Sequence, residues 1–158
     1  MSALPGSAQR VQDAAVALGL DVTVREMAQP TRTAEEAAAA CGVTVGQIVK
    51  SLVFVGSESG RPYLLLVSGA NRVNEKGVAA HLGEKLKRPD ADAVRALTGY
   101  AIGGIPPFGH ATQLATYMDR DLLGYDVIWA AAGTPRAVFR TEPAALRDAA
   151  GAVVIEVK

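Results

Sequence analysis

A single cysteine, Cys41, stands in 158 residues. That excludes an internal disulfide and a cysteine-built metal cluster, and it suits a reducing compartment. An excess of charge of either sign is also missing. Sixteen lysines and arginines balance sixteen aspartates and glutamates, so no global field draws the chain to nucleic acid or membrane, and any polyanion must be gripped locally. There is no apolar run of the ~18 residues that a membrane-spanning helix needs. Met1 to Gly6 lack the basic and apolar regions of a signal peptide, and the expectation is a cytoplasmic protein. No Gly-x-Ser-x-Gly nucleophile elbow and no Walker-type phosphate loop occur. The two histidines, His81 and His110, have no carboxylate motif beside them, and neither a metal nor a cofactor is expected.

What is present is enough apolar material for one domain, taken as residues 1–158. Hydrophobic residues make up 49% and mean hydropathy is +0.18, so disorder is not expected. The periodicity and its punctuation predict helices over Ala8–Leu18, Ala34–Cys41, Glu75–Leu82, Ala91–Leu97 and Pro143–Ala149. Thr33 with Glu36 forms a capping box, Asn74 and Asp90 are further caps, and glycines close several helices. Strands are predicted at Val22–Glu26, Ile48–Val55, Pro62–Ser68, Lys85–Lys87, Leu114–Met118, Val127–Ala131, Arg136–Arg140 and Val153–Val157. The second and third of these, joined by Gly56-Ser57-Glu58-Ser59-Gly60, form the best-defined hairpin. Helices and hairpins without strict βαβ alternation give an α+β, or mixed-sheet α/β, domain.

Two segments carry the chemistry. In the strand Ile48 to Val55, alternation places Ile48, Lys50, Leu52 and Phe54 on one face and Val49, Ser51, Val53 and Val55 on the other. Lys50 therefore shares a face with large apolar residues. Either its stem covers them while its head is solvated, or its ammonium serves a wet cleft. The second segment, Thr98-Gly99-Tyr100-Ala101-Ile102-Gly103-Gly104-Ile105-Pro106-Pro107-Phe108-Gly109-His110, holds paired glycines and paired prolines. They give a rigid backbone that a ligand can approach closely. His110, at its end, either lines a pocket or stabilises the turn. Gly133-Thr134-Pro135-Arg136 is a second turn with an approachable backbone, a hydroxyl and an arginine read first as a solvated strand end. Cys41 and His81 read as structural, and Asp119 and Asp121 as a cap and a solvated turn. Arg72, Lys76, Lys85, Lys87 and Arg88 are candidates for a local basic rim. One cation and a main-chain wall suit an anionic ligand bearing a small group.

The run Gln47-Ile48-Val49-Lys50-Ser51-Leu52-Val53-Phe54, followed by Thr98 to Gly109, resembles the YbaK/prolyl-tRNA synthetase-associated editing domain family. Pro30 to Ala38 is similar to that family's early loop and helix, and the likeness runs from about Val22 to Val154. The resemblance implies a single domain with a mixed, curled sheet flanked by helices. It implies a free-standing, trans-editing aminoacyl-tRNA deacylase, acting on proline tRNA that carries a small non-cognate amino acid, with prolyl-tRNA synthetase as a further partner. Lys50 would contact the tRNA 3′ end. Gly103 and Gly104 would hold substrate through main-chain groups, with Ile105, Pro106, His110, Gly133 and Thr134 completing the substrate site. Pro106 before Pro107 and His110-Ala111-Thr112 after Gly109 depart from the cysteine-specific branch. There a serine precedes the second proline, and a glutamine and lysines follow the glycine. Rival readings are a tRNA- or synthetase-binding module of the same fold without hydrolysis, and a small-molecule esterase or nucleotide binder using the same cleft.

Overall fold

The computed structural model describes residues 4–158. In chain order the elements are α1 (Gly6–Ala17), β1 (Arg25–Glu26), α2 (Ala34–Cys41), β2 (Ile48–Gly56), β3 (Pro62–Ser68), α3 (Glu75–Leu82), β4 (Leu86–Lys87), α4 (Ala91–Thr98), β5 (Ala115–Asp119), β6 (Ile128–Ala131), β7 (Ala137–Thr141), α5 (Pro143–Ala150) and β8 (Val153–Ile155). The strands form one mixed sheet in the order β1-β7-β6-β2-β3-β5-β8, with β4 pairing β2 off this path. The β2–β3 hairpin lies at its centre, with Lys50 opposite Val67 and Phe54 opposite Tyr63. β2 runs parallel to β6, and β3 parallel to β5. The fold is the mixed α/β class that the sequence predicts.

Local chemistry explains the boundaries. Thr33 Oγ1 accepts from the Glu36 N–H while Glu36 Oε1 accepts from the Thr33 N–H, so α2 starts on a complete capping box. Asn74 and Asp90 cap α3 and α4 through the Gly77 and Ala93 N–H groups. The hairpin turn is held by Glu84, whose carboxylate accepts from the Glu58 and Ser59 N–H groups, Ser59 Oγ and Tyr63 Oη. Those donors favour the anion and hold its pKa down to about 2. The predicted strand Val22–Glu26 shrinks to two residues. Upstream of Arg25 the Gln12 amide takes the place of a ladder, donating to Val22 O and accepting from the Val24 N–H. The last strand also ends early, because Val157 O accepts from the Asn74 N–H at the start of α3.

The two faces of the sheet are covered differently. Val49, Val53, Leu64 and Leu66 face the main core with residues of α1, α4 and α5. Tyr100, Ile105 and Phe108 of the glycine-proline block are buried in the same core. The opposite face is divided. Ile48, Trp129 and Val138 lie under Ala34, Ala37 and Ala38 of α2, whereas Phe54, Leu65 and Val67 lie under Val78 of α3. Lys50 is on this divided face, between two separate apolar clusters. A lysine on an apolar strand face is thus tolerated because no helix covers its position.

Candidate active site

The cleft exists because β2 lacks a partner along part of one edge. It pairs β6 only at Ile48 and Val49, and β4 only at Val55 and Gly56. On its other side the hydrogen-bonded positions run through Ile48 and Gly56, bonded to Gly69 and Arg61. Antiparallel alternation then turns the N–H and C=O of Ser51 and Val53 toward the gap. A cavity of about 730 Å³ opens there, within the range of small-molecule sites. Ser51 lines it, and Ser51 Oγ is buried without a hydrogen-bond partner among the described residues. A buried hydroxyl left unpaired costs roughly 1–3 kcal/mol.

Charge is concentrated in the cleft. Arg32, Lys50 and Arg72 line it against one carboxylate, Glu35, so the site is locally cationic although the chain is neutral. The Lys50 ammonium donates to Asn71 O. Burial pushes the Lys50 pKa down; Glu35 and Asp119 act against that shift, and Arg72 adds to it. Of the sequence-predicted basic rim, Arg72 reaches the cleft. Arg88 instead pairs with Glu75 at 3.2 Å and lies over the Phe54 ring.

The glycine-proline block supplies the facing wall and is fixed from behind. The buried Thr98 hydroxyl donates to Val94 O and accepts from the Tyr100 N–H. Arg10 of α1 lies over the Tyr100 ring and donates to Gly99 O. Phe108 meets Phe139 with ring centroids 5.5 Å apart. Gly103, at φ +95°, and Ile105 line the cleft. A Cβ on Gly103 would lie 3.5 Å from the Arg32 side chain. Gly104 stands behind them. Its N–H donates to Ala101 O at 3.0 Å, and its carbonyl accepts from the Gly133 N–H at 2.8 Å. A Cβ there would meet Thr134 N at 2.9 Å. Gly104 thus commits its main-chain groups within the wall and shapes it. Thr134 works in the β6–β7 turn, where its hydroxyl accepts from the Arg136 N–H, and Arg136 itself donates to Ala28 O.

Of the predicted residues, the structure brings Lys50, Gly103 and Ile105 together on the cleft, with Gly104, Gly133 and Thr134 in the layer behind. Pro106 and His110 stand apart. His110 borders a separate hollow of about 310 Å³, and its Nε2 bonds Pro106 O at 2.6 Å. A carbonyl only accepts, so Nε2 carries the proton and His110 braces the turn. Burial lowers its pKa, opposed by the Pro106 bond. A histidine with a depressed folded pKa gives stability that is complete above its unfolded value of 6.5 and lost as pH falls through the folded one. The melting temperature of the native protein is therefore expected to fall between roughly pH 7 and pH 5. His110→Gln is expected to flatten that dependence; identical slopes would remove His110 as its source.

Sequence reasoning missed Trp129, Asn71 and the burial of Asp119. No aromatic occurs between Val22 and Cys41, yet the cleft has an aromatic wall because β6 brings Trp129 beside Ile48. Asp119 does cap the turn after β5 through the Asp121 N–H. It is not solvated: only 1% of its surface is exposed, a correction that pairing of β5 with both β3 and β8 accounts for.

Comparison with other proteins bears on what such a cleft is. A solved structure described as that of a candidate trans-editing enzyme for prolyl tRNA synthetase superposes with a TM-score of 0.93 at 52% identity, covering 99% of both chains. EbsC of Enterococcus faecalis, a candidate Cys-tRNA(Pro)/Cys-tRNA(Cys) deacylase, is 32% identical over 102 residues, 64% of this chain and 62% of EbsC. Proline--tRNA ligase of Limosilactobacillus fermentum is 30% identical over 112 residues, 68% of this chain and 20% of that much longer enzyme. The aminoacyl-tRNA editing domain matches residues 28–149, the stretch that holds Lys50, the glycine-proline block and the sheet between them. The chain belongs to the aminoacyl-tRNA editing domain family.

Proposed function

We propose that this protein is a trans-editing deacylase that hydrolyses the ester of a misacylated tRNA, with proline tRNA carrying a small non-cognate amino acid as its substrate. One observation carries the reading: a single ammonium, Lys50, faces a fixed main-chain wall at Gly103 and Ile105 across a cationic cleft. The 3′ end of an aminoacyl-tRNA needs both, a cation for phosphate and a close-fitting backbone for the aminoacyl group. Three lining cations suffice to hold the terminus of one strand, which fits a neutral chain that grips few phosphates.

In this reading Lys50 anchors the terminal phosphate, and the aminoacyl group rests against the wall. Ser51, whose main chain lies on the free edge of β2, offers hydrogen bonds to it. Water adds to the ester carbonyl carbon, the bond to the ribose oxygen breaks, and the proton from water ends on that oxygen. The products are the free amino acid and deacylated tRNA. Catalysis then rests on positioning and on hydrogen bonds to the developing oxyanion, with no covalent enzyme intermediate.

The test is release of amino acid from proline tRNA charged with alanine, cysteine, serine, threonine or proline. Rapid release of one non-cognate residue, with proline spared, is expected. A protein that retards charged tRNA on a gel but releases nothing from any of the five would overturn hydrolysis in favour of a binding module. Prolyl-tRNA synthetase is the proposed partner that supplies the misacylated tRNA, on the strength of the shared segment in a proline--tRNA ligase.

A further inference from the structure

We infer that the buried carboxylate of Asp119, acting through Asn71, is a positioning group for Lys50: it fixes the loop whose carbonyl receives the ammonium and sets a negative charge behind it. The inference rests on the proposed role of Lys50 as the cation of the site.

Asp119 Oδ2 accepts from the Ser68 N–H at 3.0 Å and from Asn71 Nδ2 at 2.8 Å, and its Oδ1 accepts from the Asp121 N–H at 2.9 Å. The Asn71 amide also donates to Asp121 Oδ2 at 2.8 Å, so both its hydrogens are held by carboxylates. The same residue's carbonyl accepts from Lys50. Gly69, between them, donates to Ile48 O at 2.7 Å, and Ser68 Oγ donates to Gly46 O. The turn after β3 is thus tied at each end, and among the described residues the side chain bonded to its Asn71 carbonyl is that of Lys50.

A desolvated carboxylate is costly unless a cation or several donors compensate it. None of the ion pairs found among the described residues includes Asp119. Its donors are neutral amides, so its charge remains available to act at longer range. The charged groups around Lys50 are Arg32 and Glu35 beside the start of α2, Arg72 in the turn after β3, and Asp119 at the end of β5. Asp119 opposes Arg72 there. Lys158 binds the neighbouring Asp121 at 3.0 Å, which keeps that second carboxylate engaged.

A purely structural anchor and an electrostatic positioning group make different predictions for Asp119→Asn. The amide keeps an oxygen for Ser68 and Asn71 and removes the charge, and it gives up the acceptor for the Asp121 N–H, which is why the Lys50 titration is read beside the rate. Deacylation by the intact protein, as kcat/KM, is expected to fall on the order of tenfold to a hundredfold. Its alkaline limb is expected to move to lower pH, because Lys50 without a nearby anion gives up its proton more readily. Asn71→Ala, on the half-buried loop, should weaken catalysis in the same direction and carries the test if Asp119→Asn does not fold. Lys50 is followed independently by nuclear magnetic resonance of 15N-lysine side chains, its signal identified by loss in Lys50→Arg. A lower Lys50 pKa supports the inference, in Asp119→Asn from loss of the anion and in Asn71→Ala from displacement of the loop carbonyl that receives the ammonium. An unchanged Lys50 titration, or a pH profile that only scales down, reduces Asp119 to an anchor and overturns it. If the native protein hydrolyses no charged tRNA, the deacylase reading fails, and the Lys50 titration alone decides this one.

Discussion

Lys50→Met is expected to lower deacylation by about a hundredfold or more while the variant melts at or above the temperature of the native protein. The two halves of this expectation have one cause. Burial pushes the Lys50 pKa down, so the folded state binds that proton less readily than the unfolded chain, and the cation is held at a cost to stability at neutral pH. Methionine keeps an unbranched apolar stem over the face shared with Leu52 and removes the desolvated charge. The Asn71 carbonyl left without its donor lies at the cleft, where water can replace the ammonium. Under the proposed function, the cleft loses its one ammonium and keeps only the guanidinium groups of Arg32 and Arg72. Lys50→Ala should lose the same activity with a small loss of stability from the missing stem. Amino acid release and a thermal melt on the same samples decide it: a Lys50→Met protein with native turnover would refute the assignment of Lys50.

Gly133→Ala is expected to be among the most destabilising single changes near the site, by roughly 3 kcal/mol. Its melting temperature should fall by about 6–12 °C. Gly133 sits at φ +95°, where an L side chain is strained, and a Cβ would lie 2.6 Å from Ser7 O and 2.9 Å from Ser7 C. Both atoms are backbone of α1 and cannot rotate away. The damage would not stay local. Gly133 donates to Gly104 O, and Gly104 in turn has no room beside Thr134 N, so displacement of the β6–β7 turn moves the wall behind Gly103. Activity should therefore fall with stability. Gly124→Ala is the control, since nothing lies within 4 Å of its Cβ position; it should melt within a degree or so of the native protein. If Gly133→Ala does the same, the turn is not the rigid backing described above.

The sequence by itself determined the local pieces. Capping residues and glycine stops placed α2, α3 and α4 to within a residue, because those signals act over three or four positions. Alternation in β2 and the turn after it gave the central hairpin and put Lys50 on the face of Ile48, Leu52 and Phe54. The glycine-proline block was legible as a rigid backbone for the same reason: its shape is a property of its own residues.

Only tertiary structure decided what surrounds Lys50. Whether a lysine between apolar neighbours is solvated or poised in a cleft depends on two helices that cover Ile48 and Phe54 but leave a gap between. It depends too on β6 and β4 pairing only the ends of the strand. Trp129, Asn71 and Asp119 reach the site from 79, 21 and 69 positions away along the chain, distances over which no periodicity carries information. Pro106 and His110 show the converse. They lie within a few residues of Gly104, yet the chain turns after Ile105 and takes His110 to a different hollow. Proximity in sequence fixes backbone conformation, whereas a site gathers the residues that long-range pairing and packing bring to one face.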